Sequence, residues 1–159
     1  MGRAECVQAE RAESVIGPKV PKPTRADEID AYEACTLRDF NSCVRCRFSG
    51  DVQRDHRKGR GVGGRTTVDN LHLLCGPGGP EGGCHLWKGT NPEQAESQGF
   101  TVPGWADPLK YPGRRLIRDG YALRLSWVLY SDDGNITEIT ETDAMRRMYG
   151  DNYETEGGG

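Results

Sequence analysis

All three histidines of the chain and four of its six cysteines lie within residues 43–89, CVRCRFSGDVQRDHRKGRGVGGRTTVDNLHLLCGPGGPEGGCHLWKG. Thiolates, imidazoles and carboxylates are the side chains that bind transition metals, and imidazoles also transfer protons near neutral pH. Their concentration in one glycine-rich, mostly polar segment therefore indicates metal chemistry.

The four cysteines form two pairs. Cys43 and Cys46 are separated by two residues, which places two thiolates on one tight turn, the usual first half of a tetrahedral zinc site. Cys75 and Cys84 are separated by GPGGPEGG, a loop that can fold back for about a few kcal/mol, whereas structural zinc contributes on the order of 10 kcal/mol. We predict one structural Zn²⁺ held by four thiolates; the alternative is four unrelated free thiols.

A carboxylate and two imidazoles accompany the cysteines. Asp55 and His56 are adjacent, so their side chains point to opposite faces of a strand and can act together only where the strand ends. His85 directly follows Cys84. If zinc fixes Cys84 at the start of a helix, His85 points in a neighbouring direction, away from the zinc, where it could share a second, divalent cation with Asp55.

The order and spacing of these residues resemble the HNH endonuclease family of the zinc-bound, four-cysteine type, which has a ββα-metal fold. Over about residues 40–90 the matching elements are Cys43-x2-Cys46, Asp55-His56, Gly63-Gly64, Asn70-Leu71, Leu74-Cys75 and Cys84-His85-x2-Lys88. The chain departs from the family in two places. The family usually spaces its second cysteine pair by two residues, and a proline commonly follows Asp-His where this chain has RKGRG.

This resemblance implies a metal-dependent endonuclease that hydrolyses DNA. Asp55 and His85 would bind the catalytic cation, either Mg²⁺ or Mn²⁺, with Ni²⁺ or Zn²⁺ as further candidates. His56 would be the general base, and Asn70 would orient His56 or shape the loop through hydrogen bonds. Contacts to DNA phosphates are expected from the basic residues Arg57, Lys58, Arg60, Arg65 and Lys88.

Each assignment has a plainer alternative. His56 could be a surface histidine that binds phosphate, His85 could replace a cysteine as a zinc ligand, and Asn70 could be a turn residue. His72 alternates with leucines in NLHLLC and is predicted to lie on the exposed face of a strand. For the whole chain, the alternative function is a non-catalytic zinc module that binds nucleic acid or a protein.

The charge distribution favours a local nucleic-acid surface. The net charge of −3 argues against a protein that coats nucleic acid indiscriminately. Residues 43–90 carry eight Lys and Arg against four Asp and Glu, a net charge of +4, so the remainder carries −7. A basic patch on an acidic chain fits a surface that binds phosphates. The alternative is that these charged residues lie in solvated loops, which could have the same excess of Lys and Arg. The acidic flanks could dock a protein partner, and a homodimer could cut both DNA strands.

The compartment is expected to be the cytoplasm of a bacterium or of a phage-infected host. The start of the chain, MGRAECVQAERAE, lacks the apolar run of a signal peptide, and no segment approaches the roughly 18 apolar residues of a membrane span. Thiols stay reduced in the cytoplasm, so clustered cysteines there indicate metal rather than disulfides. No membrane partner is expected.

We predict an α+β fold, with a small ββα-metal core stapled by the four-cysteine zinc site. A capping box at Thr24 and Asp27 predicts a preceding helix over TRADEIDAYEACTLRDF. Short strands are predicted at residues 53–56 and over NLHLLC, with a brief helix over GCHLWKG. Asp-Gly turns between RRLIR and NITEIT predict a C-terminal antiparallel β-hairpin or meander.

The expected organisation divides the chain into four regions. They are a flexible arm (1–24), the HNH nuclease domain with its preceding helix (25–100, motif core 41–90), a β-hairpin extension (101–145) and a tail (146–159). Cys35 is assigned to packing within the helix, whereas Cys6, in the arm, has no evident partner.

Overall fold

The computed structural model of the chain describes residues 20–153 and shows an α+β fold with two small antiparallel sheets. Within these residues the helices are α1 (Arg25–Arg38), α2 (Cys84–Thr90), α3 (Pro92–Ser97) and α4 (Glu141–Tyr149). The strands are β1 (Val52–His56), β2 (Leu71–Cys75), β3 (Gly113–Asp119), β4 (Ala122–Tyr130) and β5 (Ile136–Ile139). None of these four helices has the length and apolar run that a membrane crossing requires. Cys6 and most of the predicted arm, like residues 154–159, lie outside the described residues.

Helix α1 begins where the sequence predicts it. The Thr24 hydroxyl accepts a hydrogen bond from the Asp27 amide (3.2 Å), and the Asp27 carboxylate accepts one from the Thr24 amide (2.8 Å). This reciprocal pair confirms the capping box. The helix buries Ala31 and Cys35 against β2, which also confirms the packing role of Cys35.

Strands β1 and β2 form the sheet that carries the candidate site. Their antiparallel register places Asp55 opposite His72 and His56 opposite Leu71. Every residue of β2 is buried, because α1 covers one face of the sheet and α2 lies over the other. The prediction that His72 lies on an exposed face is therefore wrong. Alternating polar and apolar residues predict one solvent-facing side only for a strand that is covered on one face, and β2 is covered on both.

The C-terminal strands form a three-stranded meander, in the order β3-β4-β5, which agrees with the expected antiparallel hairpin or meander. Gly120 and Gly134, each following an aspartate, have the positive φ angles that the two turns require (59° and 84°). Helix α4 then packs Met145 and Met148 against Trp127 of β4. The expected division between residues 145 and 146 falls inside α4, so it is not a structural boundary.

A buried ionic group joins the C-terminal sheet to the preceding elements. The Asp39 carboxylate accepts hydrogen bonds from Arg38 (2.8 Å), from Arg115 of β3 (2.7 Å) and from the amide of Leu73 in β2 (3.0 Å). Burial acts to raise the pKa of Asp39, but the hydrogen bonds and charges of the two arginines outweigh it and hold the pKa below its ordinary value. The expected extension is thus anchored to the elements around the site.

Candidate functional site

The four predicted zinc ligands come together in one cluster. The sulfur atoms of Cys43, Cys46, Cys75 and Cys84 all lie within 4.8 Å of one another, and three of the four residues are buried. Two of the sulfurs, those of Cys46 and Cys75, are 3.6 Å apart. Thiolates bound tetrahedrally to one zinc lie roughly 3.8 Å apart, given Zn–S bonds of about 2.3 Å. The cluster can therefore hold a metal ion such as zinc.

Glycines allow the long spacing between the second pair of cysteines. A Cβ at Gly79 would lie 2.6 Å from the Cys75 sulfur, and one at Gly83 would lie 2.1 Å from the carbonyl oxygen of Gly76. Gly83 also has a φ of 97°, which residues with a side chain rarely adopt. The loop closes so tightly that the amide of Cys84 donates to the Cys75 sulfur at 3.2 Å. The spacing of eight residues therefore still places the second pair beside the first.

Hydrogen bonding within the cluster favours the thiolate form of one cysteine, Cys43. A hydrogen bond with Cys84 lowers the pKa of the Cys43 thiol to about 4, and the same bond raises the pKa of Cys84. Arg45 lies beside the cluster, with its guanidinium 3.6 Å from the Cys84 sulfur and 3.8 Å above the ring of Trp87. Sequence reasoning did not single out Arg45, since its proximity to Cys84 depends on the fold.

Asp55 and His85 meet at a cleft of about 660 Å³. His85 Nε2 is 3.4 Å from Asp55 Oδ1, and the carboxylate is nearly buried while the imidazole is half exposed. Two ligand atoms bound at about 2.1 Å to neighbouring positions of one octahedral ion lie roughly 3 Å apart, so this pair can share a cation. Among the described residues, the four cysteines form their cluster without His85.

The other Asp55 oxygen is engaged by protein side chains. Asp55 Oδ2 is 2.9 Å from Nε2 of His72 and also accepts a hydrogen bond from the Lys88 ammonium. Burial acts to raise the pKa of Asp55, but the hydrogen bond from His72 and the charge of Lys88 hold the pKa below its ordinary value. The carboxylate is therefore ionised at neutral pH. His72 was missed as a site residue, because it was assigned to an exposed face.

Lys88 lies at the cleft, but it points inward. Besides its contact with Asp55, its ammonium donates to the carbonyl oxygen of His56 at 2.7 Å, and its side chain is only 12% exposed. The expectation that Lys88 contacts DNA phosphates does not hold in this structure, because its charge is paired with Asp55.

His56 lines the same cleft, at the end of β1. Its Nε2 is hydrogen-bonded to the Thr66 hydroxyl (3.0 Å) and accepts from Nε of Arg60 (3.3 Å). Burial, and next the charge of Arg60, lower the pKa of His56, so its imidazole is neutral at cellular pH. Thr66 also escaped sequence reasoning, because a threonine in a glycine-rich loop carries no signal of its own.

Asn70 shapes the loop between β1 and β2. Its Oδ1 accepts from the amide of Lys58 (2.7 Å), and its Nδ2 donates to the carbonyls of Lys58 (3.0 Å) and Arg65 (2.8 Å). Of the two roles expected for Asn70, the structure shows the loop contacts and no hydrogen bond to His56.

Arg57 is not part of a DNA-facing surface. Its side chain is fully buried and donates to the carbonyl oxygens of Asp69 (2.8 Å), Pro108 (3.1 Å) and Tyr111 (2.8 Å). The guanidinium also lies 4.6 Å from the ring centroid of Tyr130. The expected phosphate contact is therefore wrong for this residue, because its donors hold three chain segments together.

The remaining predicted phosphate contacts divide between two places. Lys58 donates to the carbonyl of Ala106 (3.0 Å), and Arg65 donates to the carbonyls of Val20 and Pro21 (2.7 Å each). Neither residue lines the cleft, whereas Arg60 does, together with the exposed Arg54, which was not predicted. The basic side chains that border the cleft and face solvent are thus Arg54 and Arg60.

Comparison of the chain with models of protein families, with curated proteins and with solved structures finds no match. The function must therefore be inferred from the two groups of side chains themselves.

Proposed function

We propose that the protein is a metal-dependent endonuclease of the HNH type that hydrolyses DNA phosphodiester bonds. The observation that carries this proposal is the meeting of Asp55 and His85 at 3.4 Å in a cleft that also holds His56. Strand β1 presents Asp55 and His56, and helix α2 presents His85. A purely structural zinc module does not require such a set.

The reaction requires a nucleophile in line with the leaving oxygen and positive charge at the phosphate. A cation held by Asp55 and His85 would supply that charge to a non-bridging oxygen and to the leaving 3′ oxygen. His56 accepts a proton from the attacking water, and its neutral state suits this role. The bond between phosphorus and the 3′ oxygen breaks, the 3′ oxygen takes a proton from a water molecule, and the products are a 5′-phosphate and a 3′-hydroxyl.

Thr66 and Arg60 both contact Nε2 of His56. While Arg60 donates to Nε2, the neutral ring carries its proton on Nδ1, so Arg60 must leave before Nδ1 can accept a proton. We assign proton transfer to Nδ1. Arg60 is exposed at the cleft and can turn to a DNA phosphate, which leaves the Thr66 hydroxyl to accept the Nε2 proton.

The ligand set suits several divalent cations. One carboxylate and one imidazole leave positions for water and phosphate, as Mg²⁺ and Mn²⁺ require, and the imidazole also suits Ni²⁺ or Zn²⁺. Zinc in the cysteine cluster would have a structural role. It would fix the position of Cys84 and thereby the position of the neighbouring His85.

Plasmid cleavage tests this proposal. With Mg²⁺ or Mn²⁺ the purified protein should nick or linearise supercoiled DNA, and His56→Ala should abolish this without changing the zinc content. Tyr121→Ala, at a fully exposed residue in the turn between β3 and β4, is the control and should cut like the wild type. Equal cleavage by His56→Ala and wild type would refute the assignment of His56 as the general base.

One observation favours the alternative of a non-catalytic zinc module. Lys88 already neutralises Asp55, as it would in a site that binds no metal. In that case the protein would bind nucleic acid or a protein partner with its zinc in place, and no divalent cation would produce cleavage.

A further inference from the structure

The two oxygens of Asp55 have different surroundings. Oδ2 accepts hydrogen bonds from both His72 and Lys88. Oδ1 faces the half-exposed ring of His85, and no side chain or amide within residues 20–153 donates a hydrogen bond to it. One oxygen is thus held by the protein, whereas the other is left for a ligand from the cleft.

His72 is built into the sheet as a hydrogen-bond donor. It lies directly opposite Asp55 in the β1–β2 register and is fully buried. An ionised carboxylate can only accept, so Nε2 of His72 must carry a proton. The other ring nitrogen, Nδ1, has no hydrogen-bond partner within the described residues.

That unpaired nitrogen is costly at a fully buried position. Leaving a buried polar atom unsatisfied destabilises a fold, and a leucine of similar size would pack there without this penalty. Packing alone therefore does not explain a histidine opposite Asp55, whereas the bond to Asp55 Oδ2 does.

We propose that His72 is the positioning residue of the metal site: it holds Oδ2 of Asp55, so that the carboxylate binds a divalent cation through Oδ1 alone. This inference rests on the proposed function in that it takes Asp55 and His85 as the ligands. Binding through one oxygen suits octahedral Mg²⁺ or Mn²⁺, whereas Ca²⁺ often takes both oxygens of a carboxylate. Side chains that orient metal ligands typically contribute about 10- to 100-fold to metal affinity or activity.

Mn²⁺ binding to the zinc-loaded protein, measured by electron paramagnetic resonance in the absence of DNA, tests this role. We expect His72→Leu to weaken Mn²⁺ binding about 10- to 100-fold. His72→Gln, whose amide nitrogen can occupy the place of the imidazole Nε2, should retain most of the affinity. Asp55→Asn gives the background from any other site.

Leu73→Ala is the matched control. Leu73 is the next residue of β2, is equally buried and packs towards α1 rather than Asp55, so this change destabilises the sheet without removing the bond. It should leave Mn²⁺ affinity near the wild-type value. A His72→Leu affinity within about twofold of wild type would overturn the proposal, as would a loss that Leu73→Ala reproduces.

A measurement on the wild type decides the matter if His72→Leu does not fold. Nitrogen-15 NMR should show the His72 proton on Nε2, both without and with Mg²⁺, and a proton on Nδ1 would overturn the proposal. Failure of this inference is distinguishable from failure of the proposed function. A protein whose Mn²⁺ binding depends on Asp55 and His72 but which never cuts DNA would refute only the nuclease. A protein that cuts DNA while His72→Leu binds Mn²⁺ normally would refute only the role of His72.

Discussion

Replacement of a single cluster cysteine should remove the zinc and most of the stability of the fold. Cys43 is fully buried, and serine, which offers no thiolate, would leave three sulfur ligands in Cys43→Ser. Structural zinc contributes about 10–16 kcal/mol in small zinc domains, and a whole domain is stable by only about 5–15 kcal/mol. Loss of the zinc ion is therefore expected to lower the free energy of unfolding by about as much as the whole stability of a domain.

The structure shows which part depends most on the ion. The cysteines share one core cluster with four buried residues: Val44, Leu74, Ala95 and Phe100. This apolar group is small, and it contains the end of β2, which pairs with the start of the strand that carries Asp55, and the start of α2, which carries His85. We expect Cys43→Ser to lose stoichiometric zinc, to unfold at a much lower temperature and to lose Mn²⁺ binding.

The assay compares zinc content, by elemental analysis, with thermal unfolding followed by circular dichroism. Cys35→Ser is the matched control: it makes the same sulfur-to-oxygen change at a fully buried cysteine outside the cluster. Its expected cost is about 1–3 kcal/mol for an imperfectly paired hydroxyl, and it should keep one zinc per chain. The reasoning would be refuted if Cys43→Ser kept one zinc, or if both variants lost stability equally.

Three further predictions concern contacts that sequence reasoning missed. Thr66→Val removes a hydrogen bond to His56 worth about 1 kcal/mol, so DNA cleavage should slow about fivefold. Thr66→Ser keeps the hydroxyl and should restore the rate. An unchanged cleavage rate in Thr66→Val would contradict the role of Thr66 in positioning His56. Lys88→Met removes a positive charge that competes for Asp55, so Mn²⁺ should bind about tenfold more tightly by calorimetry, whereas a weaker affinity would contradict the ion pair. Asp39→Asn leaves two buried arginines unpaired and should cost about 3–5 kcal/mol by denaturant unfolding at neutral pH. The pKa of Asp39 in the folded protein lies below its unfolded value of about 3.9. The stability that the Asp39 carboxylate contributes is therefore complete above the unfolded pKa and is lost as the pH falls through the folded pKa. A difference in unfolding free energy between wild type and Asp39→Asn that stays constant across this pH range would contradict this role of Asp39.

Local signals in the sequence predicted the parts of the fold that depend on few residues. The capping box of α1 needs only Thr24 and Asp27, and the meander is marked by its Asp-Gly turns. The cysteine cluster was predictable from its first pair and from the glycine content of the loop between the second pair.

Side chains whose surroundings come from distant segments could not be assigned in this way. His72 is buried because α1 and α2 cover both faces of its sheet, which alternation along one strand does not reveal. Arg57 is buried because carbonyls at Pro108 and Tyr111, more than fifty residues later, accept its hydrogen bonds. Lys88 of α2 pairs with Asp55 of β1, and this contact depends on how the helix packs on the strand. The sequence shows only that Lys88 is basic, and for that reason a phosphate contact was predicted.

The single-turnover rate of DNA cleavage in Mg²⁺, wild type against His56→Ala, tests the central claim most directly. A positioned general base contributes about 10²- to 10⁴-fold to a rate, so the variant should be slower by that factor while it keeps its zinc and its Mn²⁺ affinity. A variant that cleaves within about threefold of the wild-type rate, or a wild type that cleaves nothing with any divalent cation, would contradict the account.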